Sequence, residues 1–358
     1  MPDNAQEANV AAEEQAAPKP RPKAKTPKNK AKEKAEGGKA QGMVSALKRT
    51  GTRKSSGKPS VFDDADGAGG ASRGLFGGLT PKLMLQLAAP HTWAASIMPV
   101  FLAMCLTAAD DGSLSSLMVV VLLLISVLMQ SAVNTFNDYQ DFVKGADTRD
   151  NQDDPTDAVL VYNDVEPYGV RNLAVVFVAL AFLLGIYVVV SAGWIPLAIA
   201  INGVACLFLY SGGPKPLSYF PVGELVSGVV MGGLITMASY TALTGTFSWL
   251  VLLKSLPLII GIGLIMFTNN TCDIEKDRQV GRATLSVMLG RKDSVIVYHS
   301  LIFLWIILIA LLVAVFYPTG SLGLLFLLAS YPPLLGLFRN PFVHKSRQAA
   351  MSAITSAN

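Results

Sequence analysis

The sequence predicts an all-α polytopic membrane protein, a bundle of eight or nine transmembrane helices carrying two Asp-rich cytoplasmic motifs. Three observations lead there. Of 358 residues, 51% are hydrophobic and only 15% are charged, against about 25% charged in a typical soluble domain. The charge is also crowded to one end, with fifteen of the 29 lysines and arginines lying before Pro81. Beyond that point, apolar runs close to the ~20 residues needed to cross a bilayer follow one another along the chain.

Residues 1–80 read as a basic cytoplasmic tail. Stretches such as "KPRPKAKTPKNKAKEKAEGGKA" are rich in Lys, Pro, Ala and Gly and show no apolar face. Such a composition buries too little surface to offset its ordering entropy, so disorder is expected. No apolar core follows within the first 30 residues, which argues against a signal peptide. The charge suits weak attraction to anionic lipid, and no nucleic-acid partner is expected.

The transmembrane domain is expected over 81–358. Its apolar runs fall at about 84–107, 114–136, 172–192, 194–210, 222–243, 248–268, 294–316 and 320–338. "SRQAAMSAITSAN" reads as the opening of a ninth helix. Basic residues set the orientation. The tail with the adjoining Lys82, the 137–171, 211–221 and 273–293 loops and the 339–347 stretch hold all of them except Lys254. The N-terminus is therefore expected in the cytoplasm of a multi-pass cell-membrane protein.

The loops on that side are not ordinary. The second run delivers "NTFNDYQDFVKGADTRDNQDDPTD", an aspartate-rich stretch opposed only by Lys144 and Arg149. Gln130, Asn134, Asn137, Asp138 and Asp141 recur at helical spacing, with Val133, Phe136 and Phe142 opposite. The sixth run ends in "FTNNTCDIEKDRQVGRATLSVMLGRK", where Asn269, Asn270, Asp273 and Asp277 recur at three- and four-residue spacing. Both stations sit at helix C-termini, where the macrodipole disfavours anions. Amide and carboxylate oxygens beside an apolar bundle are costly unless satisfied.

All-oxygen donors of this kind select hard cations, and Mg²⁺ is usually held by one or two carboxylates together with substrate phosphates. The pattern implies an acidic, Mg²⁺-loaded mouth that captures a diphosphate through the metal. Lys144, Lys215, Arg278 and Arg282 are positioned to take the remaining oxygens. Asp138, Asp141, Asp273 and Asp277 are the expected catalytic carboxylates. A competing reading, a cation-coupled transporter, predicts acids at span midpoints; here they sit at span ends on one side. A phosphatidyl-transferring enzyme would gather its aspartates into one longer motif.

Other chemistries are disfavoured. Cys105, Cys206 and Cys272 have no metal-ligand spacing. No GxGxxG or Walker pattern occurs. His299 and His344 lie away from both stations. Gly228 and Gly232 form a small-residue helix face suited to close packing.

"NDYQDFVKGADT" resembles the first Asp-rich motif of the UbiA superfamily of intramembrane prenyltransferases, and "NNTCDIEKDRQVGRATLSVMLGR" resembles the second. "PHTWAASIMPVFLA", "YSGGPKPLSYFPVGELVSGVVMGGLI" and the Lys144–Thr148 ending of the first motif are similar to one branch, the 1,4-dihydroxy-2-naphthoate polyprenyltransferases of menaquinone biosynthesis. The resemblance covers about 82–338. It implies a nine-helix bundle with a lateral opening for a polyprenyl tail, and two partners, a polyprenyl diphosphate and an aromatic acid.

It also implies roles for individual residues. Asn134, Asn137, Asp138, Asp141, Asp147, Asp273 and Asp277 fall at metal-binding positions. Tyr210 lies at a position near the diphosphate, Asn270 within the second motif, and His91 and Thr92 on the branch's helix-one motif. The implied reaction ionises the allylic C–O bond; the naphthol ring then attacks, and its carboxylate leaves as CO₂. The branch often has Arg before "PHT", and here that residue is Ala89. A different aromatic acceptor, such as 4-hydroxybenzoate, is the alternative within the superfamily.

Overall fold

The computed structural model describes residues 74–110, 112–145, 147–148, 158–212, 216–325, 327 and 331–358. The tail expected over 1–80 therefore lies outside the described residues up to 73, as do Lys215 and the acidic run 149–157. The regular structure of the described part is all helix, with no strand. Its last tail residues are built in. Leu79 is buried, Glu166 N–H donates to the Gly77 carbonyl at 2.9 Å, and Asn172 Nδ2 donates to the Leu75 carbonyl at 2.9 Å.

Helix α1 (Pro81–Ala88) starts on Thr80, whose hydroxyl accepts from Leu83 N–H, with Pro81 in the first turn. A 3₁₀ turn, Pro90–Thr92, then leads into α2 (Ala94–Ala109). Together these segments make one span bent by 53°. The bend falls between Thr92 and Ala94; just before it Ala89 takes the left-handed conformation, φ 48°, uncommon outside glycine.

Helix α3 (Ser116–Val143), capped by Ser115, and α5 (Pro167–Ala192), opened by Pro167, are long spans that pack along each other. A short α4 (Val159–Tyr162) precedes α5. Helix α6 (Ile195–Ser211) ends at the Gly/Pro-rich break the sequence marks.

The next span joins α7 (Gly223–Ser227), a π-helical stretch Gly228–Leu234, and α8 (Ile235–Thr244). After α9 (Trp249–Lys254) comes α10 (Leu256–Cys272). The π stretch and α10 lie nearly backbone to backbone. A Cβ on Gly228 would strike the Ile259 carbonyl oxygen, and one on Gly232 would come within 2.8 Å of Ile259 Cα. The small-residue face is thus used for close packing.

Helix α11 (Ile274–Gln279) and α12 (Leu285–Phe316) follow, the latter kinked at Gly290. Next come a 3₁₀ segment, Pro318–Leu325, then α13 (Tyr331–Arg339) and α14 (Arg347–Ala357). Phe267, Tyr298, Trp305, Leu337, Phe342 and Ile354 join α10, α12, α13 and α14 in one core. A second core joins α2, α3, α5 and α8 through Val100, Met118, Leu122, Val188 and Ala242.

Among the described residues, four helical spans are long and apolar enough to cross a bilayer alone, and the bent α1–α2 pair makes a fifth. Helices α6 and α10 are shorter and apolar. Large apolar side chains such as Phe182, Leu183, Val190, Ile307 and Leu311 point outward, as they must where the surroundings are lipid. This is a multi-pass membrane protein.

The expected run 320–338 departs from a continuous helix. Gly320 and Gly323 lie in the 3₁₀ segment and Pro332 and Pro333 in the first turn of a nine-residue helix, while 326 and 328–330 lie outside the described residues. Lys254, the basic residue set apart from the others in sequence, is also accounted for. Its ammonium lies 3.6 Å from Asp110 and over the Phe316 and Tyr317 rings, with the side chain 10% exposed. Asp110 in turn accepts from Tyr240 Oη at 2.7 Å.

Candidate active site

The two acidic stations meet. The C-terminal end of α3 and the α10–α11 junction lie at the same end of the bundle and enclose a cavity of about 150 Å³. From α3 it is lined by Asn137, Gln140, Asp141 and Lys144, which fall on one helical stripe. Tyr210 comes from α6, Ser218 and Tyr219 from a 3₁₀ turn, and Met266, Asn269 and Asn270 from α10. Asp277, Arg282 and Thr284 complete it.

Arg282 joins the stations. One arm of its guanidinium lies 2.7 Å from Asp141 Oδ1, and the other 3.4 Å from Asp277 Oδ1. The group also lies 5.4 Å from the Tyr219 ring centre, a cation–π contact. Its backbone is held: Arg282 N–H donates to the Asp277 carbonyl at 2.8 Å, and Ala283 N–H to the Tyr219 carbonyl at 2.9 Å. Gly281 turns the chain at φ 76°. Thr284 Oγ1 donates to Asp277 Oδ2 at 3.4 Å and caps α12.

The other acids have basic partners of their own. Asp147 pairs with Lys276 at 2.8 Å, both side chains nearly buried. Asp273 pairs with Arg347 of α14 at 3.3 Å, and the same arm reaches Asn269 Oδ1 at 3.4 Å. Neither Asp147 nor Asp273 lines the cavity, nor does the half-buried Asp138.

Asn134 is engaged elsewhere. Its Nδ2 donates to Thr92 Oγ1 at 2.8 Å and to the Ala88 carbonyl at 3.1 Å. Through it the first motif holds the bent turn that carries His91 and Thr92. His91 is exposed on that turn and Arg278 is exposed on α11. Tyr210 Oη donates to Met266 Sδ at 3.4 Å.

Of the residues singled out from sequence, then, Asn137, Asp141, Lys144, Tyr210, Asn269, Asn270, Asp277 and Arg282 share one cavity. Gln140, Tyr219, Thr284, Lys276, Arg347 and Glu224 were not foreseen. Gln140 lies three residues from Asn137 on the same helix, so its spacing was legible. Tyr219 and Arg347 come from segments whose local pattern says nothing about the stations.

Burial pushes the Asp277 carboxyl up to about 6, outweighing the neighbouring Arg282. In the unfolded chain the group titrates near 3.9. Ionising it therefore costs the metal-free protein stability as pH rises from about 4 to about 6. A cation bound there must compete with that proton. Apparent affinity for a divalent ion is expected to be near its plateau at pH 7.5 and to fall several-fold by pH 5.5. Titrating Mn²⁺ at the two pH values checks this, and Asp277→Ala should flatten the difference. Glu275, by contrast, is held below the usual carboxylate range by its two hydrogen bonds from Arg291, each 2.8 Å.

Fold and site together define a polytopic helical membrane protein with an acidic, cation-bridged cavity where two Asp-bearing helix ends converge. The chain belongs to the UbiA prenyltransferase family, whose family model matches residues 96–355. It is 33% identical over 229 residues to the 1,4-dihydroxy-2-naphthoate octaprenyltransferase of Bacillus subtilis (strain 168), covering 63% of this chain and 73% of that protein. It is 32% identical over 244 residues to UbiA prenyltransferase domain-containing protein 1 of Gallus gallus, covering 67% of this chain and 72% of that one. A UbiA homolog from Archaeoglobus fulgidus solved bound to GPP and Mg²⁺ superposes with a TM-score of 0.55. That match has 14% identity, covers 77% of this chain and 97% of the homolog, and speaks to the fold.

The residues present fit a divalent cation. Among the described residues, no three His, Cys, Asp or Glu side chains form a ready metal cage. A magnesium ion does not need one when substrate phosphates supply the other ligands. Asp141 and Asp277 already face each other across a cation, the Arg282 guanidinium. Asn137, Asn269 and Asn270 line the same cavity, and Asn side chains carry hard oxygen donors. Arg282 Nε is buried without a partner among the described residues, leaving it able to donate to an anionic oxygen.

Proposed function

We propose that this protein transfers a polyprenyl group from a polyprenyl diphosphate to 1,4-dihydroxy-2-naphthoate. Diphosphate and CO₂ leave, and the product is a demethylmenaquinone. Magnesium is the cofactor, and the cavity opens on the cytoplasmic side of the cell membrane. One observation carries the reading: Asp141 and Asp277, from motifs far apart in sequence, converge on Arg282 across a single cavity. Carboxylates repel a diphosphate, so a pair of them flanking a cation makes chemical sense as a site that binds the substrate through metal.

In this reading Asp141 and Asp277, with Asn137 and Asn270, hold the ion. Bound there, magnesium would neutralise charge on the departing diphosphate. Lys144 and Arg282 donate to the remaining phosphate oxygens. Tyr210 and Tyr219 line the same cavity, and aromatic rings there suit the positive charge that develops on the allylic carbon as the C–O bond opens. The ring of the acceptor supplies the electrons, so no nucleophilic side chain is called for. The acids stand at helix ends rather than at mid-span, which weighs against a cation pathway.

The acceptor rests on narrower support, the branch motifs at 90–103 and 210–235 and the likeness to the Bacillus protein. His91 and Thr92 are the proposed contacts for its carboxylate, on the turn that Asn134 ties to the first motif. Membranes supplied with a polyprenyl diphosphate and Mg²⁺ should prenylate dihydroxynaphthoate in preference to 4-hydroxybenzoate. His91→Ala should raise KM for the aromatic acid several-fold while leaving KM for the diphosphate nearly unchanged. Preference for 4-hydroxybenzoate in the unmutated protein would remove this acceptor while leaving the prenyl-transfer reading in place.

A further inference from the structure

Glu224 is the only acidic residue between Glu166 and Asp273, and it is buried, 8% exposed. A carboxylate in such a place is costly unless something satisfies it. Asn270 does: its Nδ2 donates to Glu224 Oε1 at 2.8 Å. The contact depends on the close crossing of the α7–α8 span and α10. Gly228 and Gly232 meet the backbone around Ile259, and a Cβ on Gly263 would sit 3.3 Å from the Glu224 carbonyl oxygen. Two turns beyond Gly263 on α10 is Asn270, brought within reach of a short acidic side chain.

The chemistry of this pair fixes a direction. An amide beside a carboxylate must offer its NH₂ edge, because its oxygen would be repelled. Asn270 Oδ1 is therefore turned away from Glu224, and it accepts no hydrogen bond among the described residues. Asn270 itself lines the cavity beside Asn269 and Asp277, while Glu224 does not.

We infer that Glu224 is a positioning residue: it holds the Asn270 amide so that the carbonyl oxygen is presented to the cation–diphosphate cavity. The inference rests on reading that cavity as the cation–diphosphate site. Carboxylates that orient a metal ligand from behind are a recurring device, and losing one commonly weakens metal binding about 10–100-fold.

The test uses the full chain in detergent, with Mn²⁺ titrated in the presence of a non-reactive prenyl thiodiphosphate and free Mn²⁺ read by EPR. The unmutated protein should bind the ion, and Glu224→Ala should weaken binding roughly tenfold. Glu224→Gln should lose less, about threefold, because Gln keeps an acceptor for Nδ2 but also offers an NH₂ to the wrong edge. Asn270→Ala should weaken binding by itself, and adding Glu224→Ala to it should cost no more than about a further twofold.

A purely structural carboxylate would instead lower the thermal midpoint without metal and add its effect independently of Asn270. Binding in Glu224→Ala equal to that of the unmutated chain overturns the inference, as does a Glu224→Ala effect that persists undiminished in the Asn270→Ala background. Should Glu224→Ala not fold, full affinity in Glu224→Gln beside a loss in Asn270→Ala has the same meaning. No Mn²⁺ binding by the unmutated protein would remove the cavity's reading as a cation site, and this inference with it.

Discussion

Asp277→Ala is expected to lower kcat/KM by about a thousandfold or more while leaving the protein in the membrane. The estimate follows from what one well-placed electrostatic contact contributes to stabilising a leaving group, about 10²–10³, and from the second loss this side chain entails. Asp277 both faces the cavity and accepts from Arg282 and Thr284. Removing it takes away a metal ligand and loosens the 280–284 loop that carries the site's arginine. Asp141→Ala should cost nearly as much, because it is the acid that α3 brings to the same guanidinium. Asp277→Asn keeps the size and one acceptor oxygen, so its loss should be smaller than that of Asp277→Ala. Kinetics on membranes with equal amounts of each variant decide the order.

The second large effect concerns Arg282, whose loss should be felt in two measurements. With 18% of its side chain exposed, it stands between a carboxylate 26% exposed and one 4% exposed. Removing the cation leaves those two charges facing each other. Breaking a fully buried pair costs about 3–5 kcal/mol, and solvent access on the Asp141 side reduces this to about 2 kcal/mol. Arg282→Ala should therefore unfold at a lower temperature than the unmutated chain when no divalent ion is present. Mg²⁺ with a prenyl diphosphate should narrow the gap, because a second cation then stands between the same carboxylates. Turnover should fall by at least 10², since a donor to the diphosphate is gone. Arg282→Lys restores the charge without the two-armed geometry and should recover part of the stability and little of the rate. An Arg282→Ala protein as stable as the parent without metal would show that the guanidinium does not bridge the stations.

The second span and the acidic stripe at its end were legible because they rest on strong local signals. Helix α3 announces itself by its apolar run, and Asp141 lies on it at a spacing that periodicity reads directly. Periodicity was less sharp about neighbours on the same helix. At about 100° per residue, Asn137, Asp141 and Lys144 fall within a narrow arc, whereas Asp138 is turned well round from Asn137. Asn134 falls on the same flank as Asp138, where the α1–α2 turn takes its amide.

The run 320–338 shows the opposite weakness. Apolarity alone reads it as a span, while its opening, with Gly320 and Gly323, takes a 3₁₀ course. What the sequence could not show was the pairing of charges over long separations. Arg282 meets Asp141 across 141 residues, Lys276 meets Asp147 across 129, and Arg347 meets Asp273 across 74. Each contact depends on which helix ends the bundle brings together, and no local pattern encodes that.

The central claim is that the cavity between Asp141 and Asp277 binds a diphosphate through a divalent cation. Diphosphate release from a polyprenyl diphosphate, measured in membranes stripped with EDTA and then titrated with Mg²⁺, tests it most directly. Release should be absent after stripping, return on adding Mg²⁺, and stay absent in Asp141→Ala and Asp277→Ala at every Mg²⁺ concentration. Release that continues undiminished after exhaustive chelation, or that returns equally in both variants, would contradict it.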